Sequence, residues 1–191
     1  MVWYPFERSC SLIVVTRLVF MQRSNPSRYV SELCSGRLNV GALMALCEEN
    51  YGRLSRLAPS LHQAQGSLVS RQSGTMDLYL HVLAQSRYTS EVRLTYLFDS
   101  HEAERMCADP DAHLRVYHDA RQVEILDLRQ GVLPLRTHYA HPALADKWQA
   151  NLFLSKWLIF CLRAGHRLHS DPSCPQSLGS DIRNSGCLVR S

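Results

Sequence analysis

The sequence lacks the short motifs that mark the common enzyme classes and metal proteins. No glycine-rich phosphate loop, no Gly-x-Ser-x-Gly turn and no His-Glu-x-x-His helix is present. The seven cysteines are an odd number at irregular spacing without a Cys-x-x-Cys pair, which disfavours both a zinc ribbon and a disulfide framework. We therefore predict no bound metal, no cofactor and a reducing compartment, the cytoplasm.

Long apolar runs and blocks of like charge are also scarce. The apolar stretch at residues 11–20 is interrupted by Arg17 and is shorter than the roughly 20 residues that a membrane-spanning helix needs. Lys and Arg exceed Asp and Glu by only 21 to 17, and the positive residues are spread along the chain. These absences predict a protein that does not enter a membrane, and they disfavour a nucleic acid as its partner.

What is present is the composition of one globular domain. A chain of 191 residues, 46% hydrophobic and 20% charged, is long enough for a single hydrophobic core. We place the domain at residues 28–166. Residues 1–27 are predicted to be an extension that is either non-native, with Met21 as the true start, or disordered. Residues 167–191 are dominated by Ser, Pro and Gly, which predicts a disordered tail.

Apolar residues recur at helical spacing in two segments. Residues 39–58 form an amphipathic pattern that begins with Asn39, a good N-cap, and stops before Pro59. Residues 143–164 follow Pro142 and end at Gly165, a typical C-cap position. Between 152 and 162 this second helix is apolar almost all round, which indicates burial on more than one side or packing against a second copy in a homodimer.

The segment between the helices alternates between apolar and polar residues. Strands are predicted at 78–84, 92–98, 113–117, 122–128 and 132–139, joined by short turns at 85–90, 118–121 and 129–131. Residues 62–74 are predicted to be a connection, and the charged residues 99–112 an exposed loop. The predicted fold is α+β: an antiparallel β-sheet, a meander of about five strands, packed with an N-terminal and a C-terminal α-helix.

Three polar clusters are candidates for a ligand-binding site. Arg87 and Tyr88 offer a guanidinium and a phenol at one turn, chemistry that suits a phosphate or carboxylate. A second turn carries an imidazole and a carboxylate, and the first turns of the last helix carry an ammonium and an amide. We expect the clusters to converge on one pocket for a small anion or a partner protein. The candidate ligand-binding residues are Arg87, Tyr88, His118, Asp119, Lys147 and Asn151.

Two other functions stay open. The first is a hydrolase in which His118 acts as the base and Asp119 orients it or ligates a metal, with Glu124, His138 and His141 as further ligand candidates. The second is a nucleic-acid-binding module that uses the scattered arginines and exposed aromatic residues. Each candidate site also has a purely structural interpretation, in which the aspartate only forms hydrogen bonds within its turn and the histidine only lies on the surface. We favour a non-enzymatic binding or regulatory domain.

Four blocks of sequence resemble one known family. The blocks, in order, are Cys47-Glu48-Glu49-Asn50-Tyr51, Arg87-Tyr88-Thr89, Val116-Tyr117-His118-Asp119-Ala120 and Asp146-Lys147-Trp148-Gln149-Ala150-Asn151. Together they resemble the YqiB-like family of uncharacterised proteobacterial proteins (domain of unknown function 1249), over about residues 28–165. The resemblance implies a bacterial cytoplasmic single domain and brings no activity with it. It gives weight to the polar residues of these blocks.

Overall fold

The computed structural model of this chain describes residues 39–100, 105–130 and 144–170. Two helices, α1 (Val40–Leu57) and α2 (Leu144–Arg163), flank the strands along the chain, and a single 3₁₀ turn (Leu61–Gln63) follows α1. The strands are β1 (Ser67–Ser70), β2 (Leu78–Gln85), β3 (Thr89–Ser100), β4 (Arg105–Tyr117), β5 (Gln122–Arg129) and β6 (His169–Ser170). The predicted strand at 132–139, residues 1–27 and residues 171–191 lie outside the described residues.

All six strands form one sheet in the order β5-β4-β3-β2-β1-β6, and every neighbouring pair is antiparallel. From β1 to β5 the strands follow one another as a meander, as the alternating sequence predicts. Strand β6 comes from the chain beyond α2 and pairs with β1 through Val69 and His169. The α+β fold with an antiparallel sheet and a helix at each end of the segment is therefore confirmed.

The prediction of an exposed loop at 99–112 is wrong. Strand β3 continues to Ser100, and β4 already begins at Arg105. One of the charges that suggested a loop is neutralised between the strands: the Arg93 guanidinium donates to both carboxylate oxygens of Asp111, with 2.6 Å from Nε to Oδ1. Both residues are buried. Charged residues at this position therefore mark a partnered pair inside a long hairpin and not a solvated turn.

Two short strands lie where the sequence predicts none. Strand β1 is only four residues long, too short for an alternating pattern to stand out, yet Leu68 and Val69 are fully buried. At the other end, Leu168 is buried and its backbone N–H donates to the Leu57 carbonyl at 2.8 Å. Strand β6 thus lies beyond residue 166, at His169–Ser170.

Both helices pack on one face of the sheet. The core joins Leu54 and Leu57 of α1 and Trp157 of α2 to the inward side chains of the strands, for example Leu94 and Leu114. Nine side chains of α2 are buried within the single chain, whereas Ile159, Phe160 and Leu162 are half-buried. A homodimer through α2 stays a prediction. Gly165 ends α2 with a positive φ of 84°, as its C-cap position predicts. Within the described residues, no helix is long and apolar enough to cross a membrane.

Candidate functional site

A pocket of about 210 Å³ lies where the end of α1 meets the tips of the strands. It is bounded by the second half of α1, by the 3₁₀ turn, by the β2–β3 turn and by the end of β4. The described residues that line it include one arginine and two histidines, and none of them carries a carboxylate. The lining residues are Tyr51, Leu54, Ser55, Ala58, Pro59, Leu61, His62, Arg87, Val116 and His118.

Local sequence brings these segments together. Pro59 cannot continue α1, so the chain turns through the 3₁₀ helix and carries His62 towards the strands. Gln85 at the end of β2 donates from Nε2 to the His62 carbonyl at 2.8 Å. The backbone N–H of His118 donates to the Tyr88 carbonyl at 2.8 Å, which ties the end of β4 to the β2–β3 turn. These bonds hold the pocket walls in register.

His118 is the most enclosed of the nitrogen bases in the pocket. Its Nε2 lies 2.6 Å from the hydroxyl oxygen of Ser90, and the rings of Tyr51 and His62 each lie 6.4 Å from its ring in edge-on orientations. Burial lowers the pKa of His118 below its usual value, the nearby His62 lowers it further, and Asp119 opposes both. The neutral form of the imidazole is therefore favoured at pH 7, and an approaching negative charge raises its pKa.

The contact between Ser90 and His118 resembles part of a hydrolase site, but its surroundings do not fit a nucleophile. Ser90 is fully buried on the core face of β3, in line with Val92 and Leu94, so its hydroxyl does not reach a substrate. Asp119 is exposed, and within the described residues it forms no hydrogen bond to the imidazole. The arrangement can supply a hydrogen bond or a charge to a ligand, which is less than the mutually oriented set that nucleophilic catalysis requires.

Arg87 supplies a permanent positive charge at the pocket. Its guanidinium carbon lies 5.0 Å from the centre of the Tyr88 ring, a cation–π arrangement that leaves its N–H donors available. Both side chains are exposed. Among the described residues no carboxylate forms a salt bridge with Arg87. None of the described residues therefore neutralises its charge.

The other two predicted residues lie elsewhere. Lys147 Nζ is 3.7 Å from Glu124 Oε2, and Glu124 also accepts a hydrogen bond from Tyr117 at 3.0 Å. Asn151 is buried between the helices. Its side-chain Nδ2 donates to the backbone carbonyl of Lys147 at 2.8 Å, and its backbone carbonyl accepts a hydrogen bond from Asn50 Nδ2 at 2.9 Å. The structure brings Arg87 and His118 to one pocket, with Tyr88 and Asp119 beside it, and leaves Lys147 and Asn151 out.

No metal-binding cluster is present in the parts of the chain that the structure describes. Groups of three or more His, Cys, Asp or Glu side chains with suitable spacing are absent there. Glu124 pairs with a lysine and a tyrosine, while His138 and His141 lie outside the described residues. The thiols also lack the properties of nucleophiles, because burial raises the pKa of Cys47 and of Cys161 to about 12.

Sequence reasoning missed three residues that shape the site. Tyr51 has the spacing of a core residue on α1, and His62 lies in a segment rich in Gln, Ser and Gly that predicts only a connection. The sequence does indicate the position of Ser90, because it lies two residues before Val92 and four before Leu94 on the same strand and must therefore point to the same inward face. Tyr51 lines the pocket from α1 itself, whereas His62 reaches it only through the turn after α1.

Comparisons with known proteins agree on one family. The sequence profile of a family described as protein of unknown function (DUF1249) matches residues 53–167, which include His62, Arg87 and His118. The uncharacterized protein YqiB of Escherichia coli K12 is 31% identical over 128 residues, which cover 64% of this chain and 88% of that protein. The YqiB proteins of Escherichia coli O6:H1 and O157:H7 match to the same extent. No solved structure matches significantly.

Proposed function

The chain belongs to the family of proteins of unknown function DUF1249, and we propose that it is a binding domain for a small anion. The anion occupies the pocket between α1, the 3₁₀ turn and the β2–β3 turn. Arg87 holds it by charge-assisted hydrogen bonds, and His62 and His118 contribute further donors. The domain acts through binding, as a carrier or a regulatory module.

The observation that carries the proposal is the charge balance of the pocket lining. One guanidinium and two imidazoles face the pocket, no Asp or Glu is among the described residues that line it, and the exposed Asp119 lies beside it. An arginine with an unoccupied planar fork of donors is the usual recognition group for carboxylates and phosphates. A purely structural arginine would be expected to pair with a carboxylate, as Arg93 and Arg115 do on the same sheet.

The Ser90 hydroxyl gives His118 a second role in the proposal. A serine hydroxyl can donate to a neutral imidazole nitrogen and can accept from a protonated one. Ser90 therefore remains a partner of His118 Nε2 in both charge states. Arrival of an anion raises the proton affinity of the imidazole, so His118 adds its charge when the pocket is filled.

The alternatives have less support. A hydrolase needs an accessible nucleophile or an activated water, and Ser90 is enclosed beneath His118. A nucleic-acid-binding surface needs several cations and stacking rings on one face, whereas the described part of the chain offers Arg87 and Tyr88 at a single turn.

The test is an NMR titration of the ¹⁵N-labelled protein with sodium phosphate at constant ionic strength. We expect saturable shifts of the backbone amides near residues 62, 87–89 and 118. Arg87→Gln should weaken binding about tenfold, because a hydrogen bond to a charged group contributes about 1.5–3 kcal/mol. Arg163→Gln is the matched control, since Arg163 is exposed and is not among the residues that line the pocket. Shifts that spread evenly over the surface, or equal weakening by both variants, would refute the proposal.

A further inference from the structure

The pocket is divided into a polar rim and an apolar floor. Leu54, Ala58, Leu61 and Val116 line it and are all 4% exposed or less, so only a small part of each faces the space. The arginine and the histidines of the pocket are more exposed than these aliphatic residues: Arg87 and His62 are exposed, and His118 is half-buried. A ligand that fills the pocket thus meets the Arg87 guanidinium and the imidazoles at the mouth and aliphatic groups at the base.

The volume of the pocket exceeds what an inorganic anion needs. An apolar cavity of about 150 Å³ is enough to hold a benzene molecule, and this pocket measures about 210 Å³. An inorganic phosphate at the rim would leave water against the aliphatic floor. Displacement of that water by an apolar group is favourable, because apolar surface is then removed from water on both sides.

One wall of the pocket also favours a flat ring. Tyr51 and His62 already stand edge-on to His118 at 6.4 Å, within the range of favourable aromatic pairs. These rings all line the pocket. A planar ligand can join this group by the same geometry.

We infer that the pocket binds an amphipathic anion, a phosphate or carboxylate group attached to an apolar body about one aromatic ring in size. The anionic group lies at Arg87, and the ring lies against Leu61 and Val116. This inference rests on the proposed function and narrows its ligand class. It assigns the specificity of the site to the aliphatic floor and not to the cations alone.

The test compares three probes on the wild-type chain by calorimetry and methyl NMR: inorganic phosphate, phenyl phosphate and phenol. Each buried CH₂-sized group strengthens binding about fourfold, so a half-buried ring should give phenyl phosphate an advantage of about fiftyfold over inorganic phosphate. The methyl signals of Leu61 and Val116 should shift with phenyl phosphate. Benzoate against acetate repeats the comparison for carboxylates.

The outcomes separate the inference from the proposed function. If inorganic and phenyl phosphate bind equally well, and both depend on Arg87, the inference is overturned and the proposed function stands. If phenol binds as tightly as phenyl phosphate, or if no anion binds, the proposed function fails and the inference with it.

A variant of the floor provides a second readout. Ala58→Leu adds volume at the base, so it should weaken phenyl phosphate at least about tenfold, on the same scale of CH₂-sized groups, and leave inorganic phosphate unchanged. Equal weakening of both probes would contradict a divided pocket. If Ala58→Leu does not fold, the wild-type comparison of probes still decides the inference.

Discussion

The polar residues of this protein fall into two groups that differ in whether the protein itself satisfies them. In the framework, Arg93 and Asp111 pair inside the β3–β4 hairpin, and Asn50 joins α1 to the backbone of α2 at Asn151. At the pocket, Arg87 has no carboxylate partner among the described residues. Sequence blocks shared with the family contain members of both groups. The difference shows that such blocks mark polar positions without telling structural from ligand-binding ones.

If the framework group is structural, breaking its buried ion pair should have the largest effect on stability. Asp111→Ala leaves the Arg93 guanidinium buried without a counter-charge, which costs about 3–5 kcal/mol of unfolding free energy. Urea denaturation measures this change. Asp127→Ala is the control, because Asp127 pairs with Arg129 on the exposed surface and its loss should cost less than about 1 kcal/mol. An equal loss of unfolding free energy in the two variants would show that Asp111 is not part of the structural framework.

The link between the helices should have the next largest effect. Asn50→Ala removes a hydrogen bond to the backbone carbonyl of Asn151 at a fully buried position, and such a bond contributes about 0.5–1.5 kcal/mol of net stability. The affinity for phosphate should stay unchanged, because Asn50 does not line the pocket. If Asn50→Ala had normal stability but bound phosphate more weakly, Asn50 would belong to the pocket group and not to the framework.

Acidification should have the smallest effects of the three changes. It should lower the unfolding free energy while it raises the affinity for phosphate. Burial is the main cause that lowers the pKa of His81, His118 and His166 in the folded chain. The unfolded chain then binds more protons below the usual histidine pKa of about 6.5, so the unfolding free energy falls as the pH drops from 7 to 5. Phosphate affinity should instead rise, because protonated His118 attracts the anion.

Both quantities can be followed in one series of buffers between pH 7 and 5, by urea denaturation and by calorimetry. In His118→Gln the rise in phosphate affinity should shrink. A rise that is the same in the wild type and in His118→Gln would assign the effect to His62 or to the anion itself.

Much of the fold could be predicted from the sequence because its signals are local. The cap residues Asn39 and Gly165 mark the ends of long patterns, and the alternation in β2, β3 and β5 marks half-buried strands. The first part of β4 was missed because its charge is neutralised by Arg93 on another strand. That partner is 18 residues away and leaves no local signal.

The site could be predicted only where turns fix the geometry. Arg87 and His118 sit at two turns on the same end of a meander, so their approach follows from strand pairing. Lys147 and Asn151 depend on the rotation of α2, and a helix that is apolar almost all round gives no clear direction for its polar residues. The structure turns Asn151 inward to Asn50. The sequence therefore gives no basis for placing Lys147 and Asn151 relative to the pocket.

The most direct test of the division between framework and pocket is the stabilisation that phosphate gives to the wild type and to Arg87→Gln. A bound ligand raises the unfolding free energy according to its concentration and dissociation constant. We predict that phosphate at about 100 times its dissociation constant stabilises the wild type over sodium chloride of equal ionic strength by about 2.7 kcal/mol. Arg87→Gln should lose about 1.4 kcal/mol of this gain, the equivalent of a tenfold weaker affinity, and its stability in chloride should be unchanged within about 0.5 kcal/mol. An equal gain from phosphate in both proteins would contradict the account.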